Sequence, residues 1–106
     1  MAKYMVLASY TAEGTQGLLK EGALKRRAVV ESLVQGLGGK LEAFYFAFGE
    51  NDVVVISDVP DNVAAAAVSL AVNASGAVNA RTIVLMTPEE MDQAAKMSVS
   101  YTAPGR

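Results

Sequence analysis

The sequence contains no cysteine, no histidine and no tryptophan among its 106 residues. The absence of cysteine excludes disulfide bonds, thiolate metal sites and thiol nucleophiles. The absence of histidine removes the commonest metal ligand and the one side chain that ordinarily titrates near neutral pH. The sequence also lacks a phosphate loop, a dinucleotide-binding fingerprint and metal-ligand spacing. We therefore expect neither a metal centre nor a bound cofactor.

Charged residues are few and nearly balanced, with 9 Lys plus Arg against 11 Asp plus Glu and a formal net charge of −2. A nucleic-acid-binding protein needs a clustered basic surface that displaces counterions from phosphates, so this balance predicts no nucleic-acid partner. One local basic cluster, Lys25-Arg26-Arg27, has two interpretations. It is typical of a solvated helix face, and it could also bind an anionic ligand.

Long hydrophobic runs are missing as well. The longest weakly polar stretch, residues 63–78, is interrupted by Ser69, Asn73 and Ser75. It falls short of the roughly 20 apolar residues that cross a bilayer. Residues 1–10 lack a basic leader followed by a continuous apolar core, which is the pattern of a signal peptide. We therefore expect no membrane partner and a cytoplasmic location.

What the sequence does contain is a succession of strand-like and helix-like segments. Apolar, β-branched and aromatic runs predict four strands, over residues 3–10, 40–48, 53–56 and 81–86. Helical spacing predicts a helix within residues 15–37, with its main part beginning near Gly22 and with Leu24 and Leu33 on its apolar face. Two further helices are predicted over residues 62–73 and 88–97.

Local signals mark where the last two helices begin. Asp61 is the predicted cap of the first of them, and Thr87-Pro88-Glu89-Glu90 has the pattern of a capping box for the second. The order βαββαβ with an additional short C-terminal helix predicts an α+β, ferredoxin-like domain over residues 1–97. A four-stranded antiparallel sheet would carry the helices on one face. Residues 98–106 are predicted to be a flexible tail.

The predicted strands are apolar on both faces. Alternation along the second strand places Phe44, Phe46 and Phe48 on one face and Leu41 on the other. Two helices can bury only one face, and monomers rarely expose a large apolar patch. We therefore predict a homodimer through the sheet face, with Phe44, Phe46, Phe48 and Val55 at the interface. Two alternatives are open: the last helix and the tail fold over this face, or the assembly is larger than a dimer.

Several motifs together resemble the GYD-domain family. They are the runs over residues 33–41 and 49–56, the pairs Phe44-Tyr45, Pro60-Asp61 and Arg81-Thr82, and Tyr4 and Thr11 around the first strand. The family's Gly-Tyr-Asp signature stands here between Gly49 and Asp52, with Asn51 in place of the tyrosine. The resemblance extends to about Met97. It implies membership of the dimeric α/β-barrel superfamily, which includes cofactor-independent monooxygenases, isomerases, cyclases, haem enzymes and ligand-sensing domains.

Six residues are candidates for a ligand pocket: Tyr10, Tyr45, Glu42, Glu50, Asp52 and Arg81. A tyrosine on a strand can hydrogen-bond to a ligand in a pocket between the sheet and the helices, or it can fill the core with its hydroxyl at the edge. Glu50 and Asp52, at the predicted hairpin, are either an acid–base pair or turn formers. By alternation Glu42 shares the aromatic face, where a carboxylate must reach water, pair with a cation or serve a site. Arg81 is its candidate partner.

Two functions are compatible with these residues. The first is a binding or accessory domain whose pocket accepts a small, mostly apolar organic molecule. The second is a cofactor-independent isomerase, cyclase or monooxygenase, in which Asp52, Glu50 or Glu42 acts as the base and a tyrosine polarises the substrate. A carboxylate inside a pocket would favour the enzyme, and a carboxylate exposed on a turn would count against it. Haem chemistry, which the resemblance also implies, would lack its usual axial histidine.

Overall fold

Strands and helices follow one another along the chain in the computed structural model, which describes all 106 residues. In chain order they are β1 (Ala2–Tyr10), α1 (Ala12–Glu21), α2 (Ala23–Gly36), β2 (Lys40–Phe46), β3 (Val53–Val59), α3 (Asn62–Ala74), β4 (Val78–Leu85) and α4 (Pro88–Lys96). None of the helices is both long and apolar enough to cross a membrane. The order is the predicted βαββαβ succession followed by one more helix.

The four strands form one antiparallel sheet in the order β2-β3-β1-β4, with β3 and β1 in the centre. β1 is paired on both sides, so that Met5 lies opposite Ile56 of β3 and opposite Ile83 of β4. The crossovers from β1 to β2 and from β3 to β4 each carry helix and each pass over one intervening strand. The predicted α+β fold is confirmed, and the strand order is consistent with the ferredoxin-like arrangement.

The register defines two faces of the sheet, because directly opposite residues on neighbouring strands share a face. The helix face includes Val6 of β1, with Val55 and Thr82 as its partners on either side. The open face has an apolar centre that consists of Met5, Leu7, Val54, Ile56 and Ile83. Helices α2 and α3 pack on the helix face only, which leaves the open face without cover from this chain.

The core lies between the helix face and the helices. Residues of β3 alternate strictly, with Val53, Val55, Ser57 and Val59 buried and the residues between them partly exposed. The apolar side chains form two clusters, one of Tyr4, Val34, Val59 and Ala65 and one of Ala8, Leu41, Val53 and Val55. Only 10 of the 106 residues are buried, so the single chain leaves much of its apolar surface uncovered.

The predicted alternation along β2 is wrong because this strand contains a β-bulge. Its pairing with β3 shifts between Leu41 and Ala43, so Glu42 is an additional residue without a partner of its own. An inserted residue sends every later side chain to the opposite face from the one that simple alternation predicts. Leu41 and Phe44 therefore both lie on the helix face, whereas the Glu42 carboxylate pairs with Lys3.

Two strands extend beyond their predicted limits because of contacts that are distant along the chain. β3 continues to Val59, which pairs with Ala2 of β1. β4 begins at Val78, earlier than predicted. The Asn73 side chain of α3 stabilises this start, since its Oδ1 accepts the N–H of Ala80 at 2.8 Å and its Nδ2 donates to the Ala80 carbonyl at 3.2 Å. Local strand propensity could not predict either extension, because it does not depend on contacts between residues that are distant along the chain.

The boundaries of α2, α3 and α4 follow the predicted local signals closely, whereas α1 begins at Ala12, earlier than predicted, because the Thr11 side chain accepts the N–H of Gly14 and caps this helix. Gly22 divides α1 from α2 and has a φ of +92°, a conformation that side chains with a Cβ rarely adopt. The Asp61 carboxylate accepts the N–H of Ala64 at 2.9 Å and caps α3. At α4, Thr87 and Glu90 form the predicted capping box, with hydrogen bonds of 3.1 and 2.8 Å. The Thr87 backbone N–H and side chain lower the pKa of the Glu90 carboxyl.

Helix α4 and the residues after it extend away from the sheet. No residue of α4 is buried, and Met91 and Met97 are both more than half exposed. The radius of gyration is 16.9 Å, whereas a compact domain of about 100 residues has one near ~13 Å. In the single chain, the alternative in which the last helix folds over the open face is therefore wrong.

Candidate functional site

A cavity of about 350 Å³ lies between the helix face of the sheet and the helices α2 and α3. It is lined by 16 residues, of which 14 are apolar. The apolar lining residues are Val6, Ala8, Tyr10, Val30, Leu33, Phe44, Val53, Val55, Val68, Ala71, Val72, Ala77, Val78 and Ala80. Such a lining suits a small, mostly apolar molecule.

Small side chains create this space where α3 crosses the sheet. Ala71 on α3, Ala77 directly before β4 and Ala80 within β4 stand at positions where larger residues would fill the gap. Protein interiors are ordinarily packed without voids much larger than a water molecule. The cavity is not such an interior void, because Ala71 and Ser75 of its lining are exposed; it is a cleft beside α3 that opens to solvent.

The polar groups of the lining are the Tyr10 phenol and the side chains of Arg26 and Ser75. Arg26 begins a stripe on α2 that continues with Val30 and Leu33, at the spacing of one helix face. Its guanidinium Nη1 lies 3.3 Å from Oε1 of Glu21, the last residue of α1, and both side chains are about one-third exposed. One positively charged group therefore stands at the edge of an otherwise apolar cavity.

Asp52 holds Tyr10 in place at the end of β1. The backbone N–H of Tyr10 donates to Oδ2 of Asp52 at 2.9 Å, and the Asp52 N–H donates to the Ala8 carbonyl at 2.8 Å. Burial raises the pKa of the Tyr10 phenol, and the positive charge of Arg26 opposes part of this rise. The phenol is therefore protonated at neutral pH, and its hydroxyl can donate a hydrogen bond.

Glu50 and Arg81 both line a different and shallower depression of about 320 Å³ at the end of the open face. Both side chains are exposed, and most of the residues around them are polar. The Ser9 hydroxyl donates to the Glu50 carbonyl at 2.9 Å and ties the turn to β1. No three carboxylates lie close enough together to hold a metal ion. The structure thus brings two predicted pocket residues together, but apart from the apolar cavity.

Glu42 and Tyr45 lie away from both sites. Glu42 pairs with Lys3, whose ammonium is also 3.1 Å from Asp58. Hydrogen bonds to Glu42 and then to Asp58 raise the pKa of Lys3. The predicted pairing of Glu42 with Arg81 is therefore wrong, because Lys3 supplies the cation. Tyr45 lies opposite Val54 on the open face and is 69% exposed.

The predicted interface residues are not on the open face. Val55 is buried and lines the cavity together with Phe44. Phe46 shares their face, and its ring meets that of Phe44 edge-on at a centroid distance of 5.3 Å. Phe48 lies beyond the end of β2 with its side chain fully exposed. The bulge in β2 explains why Phe44 and Phe46 lie on the helix face. Contact between the predicted interface residues and a second copy of the chain stays a prediction.

The sequence predicts only part of the helical half of the cavity, because Leu33 is on the predicted apolar face of the helix and Arg26 and Val30 are not. The predicted apolar face of α2 included Leu24, which is 85% exposed, whereas the stripe that faces the cavity runs through Arg26, Val30 and Leu33. Arg26 precedes Val30 and Leu33 at the spacing of one helix face. Nothing in the sequence, however, distinguished Arg26 from Lys25 or Arg27 before α1 and α2 were placed.

Comparison with known proteins identifies a family and no individual relative. The family model of the GYD domain matches residues 4–95, from β1 into α4. No curated protein and no solved structure matches the chain. The matched residues include nearly all of the strands and helices and every residue that lines the cavity. The resemblance seen in the sequence is confirmed, and the chain belongs to the GYD-domain family.

Proposed function

We propose that this protein is a small dimeric binding domain whose cavity accepts a small, mostly apolar organic molecule. The observation that carries the proposal is the cavity of about 350 Å³, with 14 apolar residues among the 16 that line it. Its volume lies at the small end of the range of ~300–1,000 Å³ found for ligand pockets. Enclosing an apolar ligand removes both its surface and the lining from water, which contributes roughly 25 cal/mol for each Å².

The geometry favours binding over catalysis. An acid–base mechanism needs a carboxylate within hydrogen-bond reach of the substrate. None of the lining residues is Asp or Glu, and the nearby Asp52 carboxylate accepts the backbone N–H of Tyr10. Glu50 is exposed at the hairpin, which counts against a role as a tuned base. Binding requires only shape, apolar surface and a few polar groups, all of which the cavity has.

The open face supports the dimeric part of the proposal. Its apolar centre, defined above, contains no buried residue in the single chain. Charged side chains stand at its two ends: Lys3, Glu42 and Asp58 at one, and Glu50 and Arg81 at the other. An apolar centre with a polar rim is the composition of a protein interface. A second copy is the occupant we propose, because two-fold pairing of this face would bury the same patch on both chains.

Binding is tested by NMR titration of the isotope-labelled protein with 1-decanol, a neutral apolar probe. Saturable shifts are expected at lining residues such as Ala8 and Ala80. Val30→Phe places an aromatic ring in the cavity and should weaken decanol binding by about tenfold or more. Val29→Phe is the matched control, because Val29 neighbours Val30 on the same helix but does not line the cavity.

Circular dichroism during thermal unfolding shows whether both variants are folded. Shifts that do not saturate, or that spread over the surface without involving the lining, would contradict the proposal. Equal decanol affinity in Val30→Phe and Val29→Phe would place the bound probe outside the cavity and would contradict it too.

A further inference from the structure

The distribution of charge around the cavity restricts the ligand further, on the basis of the proposed function. Arg26 is the only charged residue among the 16 that line the cavity. Its neighbours Lys25 and Arg27 are exposed and do not line it. A single guanidinium therefore stands next to the apolar wall of Val30 and Leu33. A ligand in this cavity would therefore meet one positive charge, which is partly exposed and lies beside Glu21.

Glu21 satisfies the Arg26 guanidinium only in part. One hydrogen bond of 3.3 Å, from Nη1 to Oε1, joins the two side chains. A guanidinium has five N–H donors and can bind a carboxylate through two parallel hydrogen bonds. An ion pair between partly exposed side chains contributes little stability. A carboxylate that arrives from outside can therefore replace Glu21 on Arg26 at low cost.

Tyr10 provides a second hydrogen-bond donor near the Arg26 guanidinium. Its ring lines the cavity, and its phenol lies close enough to Arg26 for the guanidinium charge to act on its pKa. Burial, the largest influence, raises that pKa and keeps the hydroxyl protonated. A neutral phenol can donate to a carboxylate, whereas an ionised one would repel it. Arg26 and Tyr10 thus form a cationic and a neutral donor beside one apolar space.

We propose that the ligand of this cavity is an apolar monocarboxylate. Its carboxylate takes the place of Glu21 on the Arg26 guanidinium and accepts a hydrogen bond from the Tyr10 hydroxyl. Its hydrocarbon body packs against the sheet and α3, where Val55 and Val72 line the cavity. The single negative charge matches the single cation. A phosphate ester would carry a second negative charge into an apolar lining that offers no second cation.

Isothermal titration calorimetry at neutral pH with decanoate and 1-decanol tests this proposal, because the two probes have the same chain length and differ in their head groups. The protein should bind decanoate about tenfold more tightly than 1-decanol. Arg26→Gln should lose this preference and keep its affinity for 1-decanol. Lys25→Gln is the matched control and should keep both affinities, since Lys25 does not line the cavity.

Glu21→Gln tests the displacement separately. Without a competing internal carboxylate, this variant should bind decanoate about threefold more tightly and 1-decanol unchanged. A loss of decanoate affinity in Glu21→Gln would mean that Glu21 positions Arg26 for the ligand, and would overturn the displacement. Equal affinities for the two probes, or an unaltered preference in Arg26→Gln, would overturn the carboxylate assignment and leave the apolar cavity intact. Failure of both probes to bind would instead contradict the proposed function.

Discussion

Asp52 ties the turn after β2 to the end of β1 and so fixes Tyr10 beside the cavity. The sequence alone allowed two interpretations of this carboxylate, a turn former and a catalytic group. The structure places it on the backbone N–H of Tyr10, which makes it a positioning residue. Glu50 belongs to the same turn, but its side chain is exposed and lines a different depression. Two neighbouring carboxylates thus have separate physical roles.

Removal of the Asp52 carboxylate should destabilise the fold. Asp52→Ala is expected to lower the free energy of unfolding by about 1–2 kcal/mol, because the partly buried N–H of Tyr10 loses a charged acceptor. Asp52→Asn keeps an acceptor oxygen and should cost less. Glu50→Ala is the control in the same turn, with a change within about 0.5 kcal/mol. Chemical denaturation measures all three, and equal effects of Asp52→Ala and Glu50→Ala would contradict the anchoring role.

Among the elements, α1 approaches the start of β4 at a distance that only glycine allows. A Cβ at Gly14 would lie 2.0 Å from the carbonyl oxygen of Ala77. The same oxygen accepts the N–H of Thr11 at 3.0 Å, so the contact belongs to the beginning of α1. A Cβ at Gly17, in the same helix, would have no neighbour within 4 Å. Packing therefore requires the first of these glycines and not the second.

Alanine at these two positions should have opposite effects on stability. Gly14→Ala is expected to lower the free energy of unfolding by about 1–3 kcal/mol, because α1 must move away from Ala77. Gly17→Ala should raise it by roughly 0.5–1 kcal/mol, since alanine loses less conformational entropy than glycine in a helix interior. Thermal unfolding of the two variants provides the comparison. A Gly14→Ala protein at least as stable as the parent would contradict the close approach of α1 to β4.

The whole molecule has an incomplete interior. Few of its residues are buried, the apolar centre of the open face is uncovered, and α4 extends away from the body. A chain of about 100 residues can bury well over half of its unfolded surface when it folds alone. These features support the proposed dimer, in which a second copy would cover the open face.

Adjacent substitutions on β4 test this assembly. Ile83→Asp places a carboxylate in the centre of the open face, whereas Val84→Asp places one on the opposite face, and both parent side chains are already exposed. Analytical ultracentrifugation should show a dimer for the parent and for Val84→Asp, and a monomer for Ile83→Asp. A monomeric parent, or a dimer that persists in Ile83→Asp, would contradict pairing through the open face.

The sequence by itself determined the features whose causes lie within a few residues. The break at Gly22 follows from its backbone freedom, and the starts of α3 and α4 follow from the caps at Asp61 and Thr87. The succession of elements follows from hydrophobic periodicity, and the family follows from motifs along the chain. Such causes are local, so they can be recognised before the chain is folded.

Only the tertiary structure decided which face each side chain occupies and which residues line the cavity. The bulge at Glu42 moves Phe44 to the helix face, and the contacts of Asn73 lengthen β4. Arg26 differs from the other basic residues of its cluster only because α2 turns it toward the sheet. Each of these outcomes depends on partners that are distant along the chain. Their positions are set by strand pairing and packing, which no local pattern of residues records.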